Sequence, residues 1–312
     1  MASSNTSTTD KWSLTKHLLT SYPDQYKTAT QHPFLLAAAE GRLPKEVLAR
    51  WLANDRLYIH SYIRAAGKLL AHIDLPRAAP KTGDEAYETQ LVDWLIDALA
   101  GVRKEERFFI QVARRYGLGV DLPVLTPGPG VAVASQSKVD SSGKLPGLTM
   151  IHNIFSNITD AESPSPAPNT SLLTALSSKL TLSAAPPSTT PPPPLPWLEG
   201  AITFWGTERC YLDAWSWAKS KQAVVTKGAD DANEDADGGA LRNEFIPNWS
   251  SAEFARFVGQ LEGLINSAVA EVLDRASSDE EKEAKKQEFI GRVDAKWKSL
   301  LAAEAAFWPD VE

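Results

Sequence analysis

The chain has 312 residues, 43% hydrophobic and 23% charged, which is enough apolar side chain to fill one large core or two ordinary ones. Its formal net charge is -7 and its pI near 5.4, an acidic balance that argues against nucleic acid or an anionic membrane as the main partner. One cysteine excludes an intrachain disulfide, the polar start at residues 1–9 has no apolar signal core, and no apolar run would span a bilayer, so a cytoplasmic location is expected.

Hydrophobic periodicity is helical nearly throughout. Residues 12–20 have the spacing of a short amphipathic helix, closed by Tyr22-Pro23. Residues 25–40 carry a second helical stretch with a break at His32-Pro33. Gly41 ends it, and Pro44 opens a long helix expected over Lys45–His72. Another long helix is expected over Tyr87–Tyr116, where Leu91, Trp94, Leu95, Ala98 and Leu99 recur at helical spacing and Gly117 and Gly119 stop the pattern.

Residues 122–145 read as a loop and residues 148–158 as a short helix. Residues 159–196 form a Pro-rich, low-complexity insertion that ends in Pro191-Pro192-Pro193-Pro194-Leu195-Pro196. Its composition favours polyproline II and a solvated spacer. Residues 197–222 return to helix. Residues 226–242 form an acidic loop. Its Asp231-x-Asn233-x-Asp235 spacing matches the start of a calcium loop, but the following Gly and the final Glu are missing, so solvent-facing chain and no metal site are expected.

A loop at residues 245–251 then delivers Trp249 to a helix start. A Ser250–Glu253 capping box opens a helix to about residue 276, and a Ser278–Glu281 box opens the last one, to Phe307. The fold class expected is all-α. One helical-bundle domain covers residues 1–312, with the Pro-rich and acidic stretches as surface loops.

Three stretches place an acid among aromatic rings. Trp51, Asp55, Tyr58 and Tyr62 share a face of one helix, because residues three and four apart are neighbours there. Phe204, Glu208, Tyr211 and Trp215 repeat the arrangement. Glu304 lies among alanines, with Phe307 and Trp308 a turn later, and burial there would raise its pKa. A lone buried charge is costly, so such acids are paired or face a polar cavity. Three of them on three helices point to one aromatic cavity with an acid/base set.

These residues also resemble a known family. Thr30-Gln31-His32-Pro33-Phe34, Trp51-x-x-x-Asp55-x-x-Tyr58, Trp205-x-x-Glu208-x-x-Tyr211-x-x-x-Trp215, Trp249-Ser250-Ser251-x-Glu253-Phe254 and Glu304-x-x-Phe307-Trp308 look like the TenA/thiaminase II family, in family order. The resemblance implies a haem-oxygenase-like bundle without haem or other cofactor, and a pocket for the aminopyrimidine half of thiamin. It also implies C–N hydrolysis in thiamin salvage, and homo-oligomers.

Residue by residue, Asp55 matches the aspartate that hydrogen-bonds the pyrimidine amine and ring nitrogen. Tyr58 matches a pocket tyrosine, Glu304 the C-terminal acid/base, and Phe307 a ring packed on the substrate. Trp249 stands where many members have a tyrosine. The family's nucleophilic cysteine falls near Ala201 here. Cys210 is nine residues later, half a turn around the helix, and reads as a small core residue. The chain resembles the Cys-lacking branch, with Glu208 at the matching glutamate.

The expected catalytic set is therefore Asp55, Glu208 and Glu304. Asp55, Tyr58, Phe204, Tyr211, Trp249 and Phe307 are expected to hold a small pyrimidine. The competing expectation is a pyrimidine-binding or scaffold protein without turnover on the same fold. A haem oxygenase would need His17 or His32 as axial ligand; a cofactor-free oxidase like the PQQ-synthesis protein would line its pocket with His and Arg, but His60 lies about 100° or more off the Asp55 stripe.

Overall fold

The computed structural model describes residues 12–79, 85–122, 143–159, 193–222 and 235–311. Among these residues every regular element is helical. In chain order they are α1 (Leu14–Ser21), α2 (Pro23–Thr30), α3 (Pro33–Ala39), α4 (Lys45–His72), α5 (Tyr87–Tyr116), α6 (Pro146–Ser156) and α7 (Leu198–Gln222). A π-helical turn (Leu241–Phe245) then leads into α8 (Ile246–Trp249), α9 (Ala252–Asp274) and α10 (Asp279–Ala305). Among the described residues no helix is long and apolar enough to cross a membrane.

The helix ends follow local chemistry. Proline occupies the first turn of α2, α3 and α6, where its missing N–H and fixed φ cost nothing. His32 caps α3 by accepting the Phe34 N–H on Nδ1, and Ser278 caps α10 by accepting the Glu281 N–H. Gly117 ends α5 at φ 68°, a left-handed conformation that glycine adopts without strain.

Helix α7 packs against α2, α3, α9 and α10, while α6 is held between α4 and α10. Two glycines permit the closest approaches. A Cβ on Gly206 would lie 2.5 Å from the Leu300 side chain of α10. One on Gly147 would lie 2.3 Å from the Phe307 backbone nitrogen, and the Gly147 N–H donates to the Ala306 carbonyl at 3.0 Å. The start of α6 thus fixes the end of α10, where Glu304 and Phe307 sit.

Trp51 forms the centre of an aromatic core. Its ring stacks on Trp308 at 5.7 Å and meets Trp215 and Trp249 edge-on at 5.4 and 5.5 Å. Such pairs add about 0.5–1.5 kcal/mol each beyond area burial. Two indole N–H groups tie the α1–α3 segment to α10 and the residues after it: Trp297 donates to the Leu18 carbonyl at 2.9 Å, and Trp308 to that of Ala29 at 2.7 Å.

The structure corrects three expectations. The acidic stretch at 226–242 is not all solvent-facing chain. Asp235 and Asp237 are buried. Arg242 clamps both Asp235 oxygens at 2.6 Å, and Asp237 accepts the Gly239 and Leu241 N–H groups at 2.9 and 2.7 Å. These partners offset the cost of taking the charges out of water. Positions 231 and 233 lie outside the described residues.

Residues 245–249, expected as loop, are helical, because the π turn and α8 carry Phe245, Ile246 and Trp249 into the core. The N-cap of α9 is Ser251 rather than Ser250: its hydroxyl accepts the Phe254 N–H. Of the Pro-rich insertion, residues 160–192 lie outside the described residues. Its end is anchored by Arg292, which pairs with Glu199 at 2.7 and 2.8 Å and donates to the Pro194 and Leu195 carbonyls.

Candidate functional site

The stripe on α4 meets that on α7. Asp55, Tyr58 and Tyr62 from α4 face Thr207, Glu208 and Tyr211 from α7, and Val102 and Glu105 from α5 and Phe254 from α9 complete a cavity of about 40 Å³. A larger cavity of about 460 Å³ adjoins it, lined by α5, Trp249 and the start of α9. Val102, Glu105, Glu208 and Phe254 border both, so they form the neck between an inner chamber and a vestibule.

Four acids converge here, each with an uncharged donor. Tyr211 donates to Asp55 at 3.3 Å, Tyr62 to Glu208 at 2.7 Å and Tyr58 to Glu304 at 3.3 Å. The Trp249 indole N–H donates to Glu105. Desolvation disfavours the charged carboxylate, and neutral donors only partly oppose it.

Burial, then the nearby Glu105 charge, raises Asp55 well above the usual carboxylate range against the Tyr211 bond. Burial pushes Glu208 up to about 8, against the Tyr62 bond and helped by Glu105. Burial also pushes Glu304 to about 8, against the Tyr58 bond and helped by Glu208. Glu105 is raised by burial to about 7, against the Trp249 bond. Acids with such values can both accept and release a proton near neutrality.

The sequence-predicted residues fall into two layers. Asp55, Tyr58, Glu208 and Tyr211 line the inner chamber, and Trp249 lines the vestibule. Glu304 is only 1% exposed and meets Tyr58 through the phenol. Phe307 packs on the Tyr58 ring at 5.4 Å. Phe204 lies behind Tyr62, edge-on at 4.7 Å, and stacks on Phe155, so it backs the wall.

Sequence reasoning missed Glu105 as a site residue, along with Thr207 and Phe254. Glu105 sits in the charged run Arg103–Arg107, which looks like a solvated face. Yet Ala98, Val102, Glu105, Phe109 and Val112 are spaced four, three, four and three, the repeat of one helix face. That spacing carried the missed signal.

Cys210 is buried, and its thiol is pushed well above its ordinary range by desolvation and then by the charges of Glu304 and Asp213. It therefore stays a thiol, not the thiolate that a nucleophile needs. His60 pairs with Glu106 at 2.8 Å, away from the chamber. Among the described residues no group of three His, Cys, Asp or Glu side chains is placed to hold a metal ion.

A curated protein of Fusarium pseudograminearum (strain CS3096), named "Probable transcription factor", is 25% identical over 264 residues, covering 81% of this chain and 45% of that relative. The chain thus spans less than half the length of the relative it matches. The model of the TENA/THI-4/PQQC family matches residues 21–82, which run from the end of α1 through α4. The all-α architecture agrees with the haem-oxygenase-like bundle that the resemblance implies. Over residues 21–82, the segment that carries Asp55, Tyr58 and Tyr62, the chain matches the TENA/THI-4/PQQC family.

Proposed function

We propose that the inner chamber binds an aminopyrimidine and that the chain hydrolyses a C–N bond of a thiamin breakdown product. The supporting observation is the convergence of Asp55, Glu105, Glu208 and Glu304, from four helices, on one aromatic-walled site with uncharged donors. A carboxyl held neutral offers O–H and C=O side by side. Asp55 in that state pairs with both the ring nitrogen and the amino group of an aminopyrimidine, and Tyr211 orients it.

Hydrolysis adds water to carbon as the C–N bond breaks, leaving an alcohol, or formate from a formylamino group, and the released ammonia, amine or ring nitrogen. Glu105, partly ionised near neutrality, removes a proton from the attacking water, and Glu208 supplies one to the departing amine. Glu304 acts through the Tyr58 hydroxyl and sets its orientation. With Cys210 held as a buried thiol, direct attack by water is the simpler route. The inner chamber of about 40 Å³ holds roughly three waters, so a one-ring ligand fills it together with the neck, against Phe254.

The test is release of ammonia or amine from thiamin, aminopyrimidine and formylaminopyrimidine, by wild type and Glu208→Gln. Turnover on one of them, lost in the variant, supports the reading. The relative's name is not that of an enzyme, and it favours a second reading, a binding or scaffold protein without turnover on the same fold. Thermal stabilisation by a pyrimidine with no release from any of the three would select it. The same reading includes a cytoplasmic homo-oligomer, which the mass in solution tests against the 34.0 kDa chain.

A further inference from the structure

A second cleft of about 340 Å³ lies where α4 meets α6, lined by Ser61, Arg64, Lys68, His152, Phe155 and Ser156. Phe155 separates the cleft from the acid chamber, since its ring packs edge-on behind the chamber residues Tyr58 at 5.7 Å and Tyr62 at 5.9 Å. The chemistry on its two sides is opposite. Among the described residues the cleft lining holds two permanent cations, an imidazole and two hydroxyls, and no carboxylate.

Arg64 and Lys68 make no ion pair among the described residues, although acids outnumber bases 39 to 32 in the chain. Arg64 donates to the Ser61 hydroxyl at 3.4 Å, and Lys68 to the Ser156 carbonyl at 2.6 Å. They stand one turn apart on α4, where like charges repel. A third group comes from α6. The His152 ring is held by a hydrogen bond to the Leu57 backbone, while its Nε2 is buried with no partner. Buried polar atoms without partners are uncommon, and a missing ion is one standard reason for them.

We propose that this cleft binds a small phosphate-like anion, free or as a monoester, in its singly protonated form: the Arg64 fork and the Lys68 ammonium take its charged oxygens, and its P–OH donates to the lone pair of the neutral His152 Nε2. The planar guanidinium matches two oxygens of such an anion, and the ammonium adds a point charge. A solvated basic helix face would be convex and drawn from one helix. Here the polar groups come from two helices around a hollow large enough for a phosphate and a few further atoms. The same concavity sets the site apart from a flat surface for a membrane or a nucleic-acid backbone. The proposal is independent of the hydrolase reading, because it uses no residue of the acid chamber.

The experiment titrates the full chain with inorganic phosphate and with methyl phosphate at constant ionic strength. Binding is followed by calorimetry and by the imidazole proton resonances, with His152→Asn assigning the His152 signal. Saturable binding that moves this signal and weakens at least tenfold in Arg64→Gln supports the site. Arg64 is exposed, so its variant keeps the fold, and Lys219→Gln on the exposed end of α7 serves as the unchanged control. Tighter binding of methyl phosphate assigns the site to an ester, and tighter binding of phosphate to the free ion. No saturable binding, equal affinity in Arg64→Gln, or loss by the same factor in Lys219→Gln would overturn the proposal.

Discussion

Replacing Glu304 by glutamine should stabilise the fold more at pH 7 than at pH 5. Below about pH 4.5 the carboxyl is protonated in both folded and unfolded chains, and it contributes no difference. As pH rises, the unfolded chain releases the proton, while the folded chain keeps it until about pH 8. Wild type therefore loses stability across that window. Taking 4.5 and about 8 as the two pKa values and ~1.36 kcal/mol per unit, the loss is about 0.8 kcal/mol at pH 5 and about 3.3 kcal/mol at pH 7. Part of that shift comes from Glu208, so the change expected in practice is about 1–2.5 kcal/mol.

Glutamine cannot ionise and escapes the loss. Any packing or hydrogen-bond cost of its amide is independent of pH and cancels when the two pH values are compared. The assay is urea unfolding of wild type and Glu304→Gln at both pH values. A stability difference between the two proteins that does not change with pH would refute the claim that Glu304 is buried as a neutral acid.

Glu208→Gln should abolish release of ammonia or amine while a pyrimidine still raises the melting temperature; retained turnover would remove Glu208 from the chemistry. Because Glu105 sits at about 7 and Glu208 at about 8, kcat/KM should rise as Glu105 ionises and fall as Glu208 does, a narrow bell whose two limbs belong to the coupled cluster. A rate flat from pH 5 to 9 would contradict it. Cys210→Ala should leave turnover nearly unchanged, since the thiol is buried and protonated; inactivation would restore a covalent route. Gly147→Ala should destabilise by about 1–3 kcal/mol or more, read by urea unfolding, because its methyl would meet the backbone of residues 303 and 307.

Much of the fold was legible because single residues punctuate it. Pro44 and Gly117 fix one end of α4 and one of α5, and both helices match the expected Lys45–His72 and Tyr87–Tyr116. Where tertiary contacts overrode local signals, the sequence misled. Nothing local says that Asp235 finds Arg242 or that Pro247 lies within a helical turn, yet burial of Phe245 and Trp249 imposes both. For the site, the acid-among-rings stripes on α4 and α7 did meet. Depth was not legible: the same spacing put Glu208 on the chamber wall and Phe204 behind it. Glu105 was hidden because charged neighbours at 103, 104, 106 and 107 mask its register with Val102 and Phe109.

The arrangement of donors separates this chamber from a structural ion-pair network. Elsewhere in the same molecule two buried acids are neutralised by cations, Asp235 by Arg242 and Glu106 by Arg56 and Arg103, while Asp237 is held by backbone N–H groups. Those groups have a static structural role, and their partners stay with them. Among the described residues the four acids at the chamber receive phenols and an indole, which bond to them without cancelling their charge. Several acids held this way cannot all ionise together, so they retain protons at neutral pH and titrate as one set. Holding them so destabilises the empty fold. A ligand that brings ring nitrogens and an amine into the chamber supplies the missing partners and lets the protons redistribute. That contrast is the physical reason to read the chamber as a site for chemistry and the Glu106 cluster as part of the scaffold.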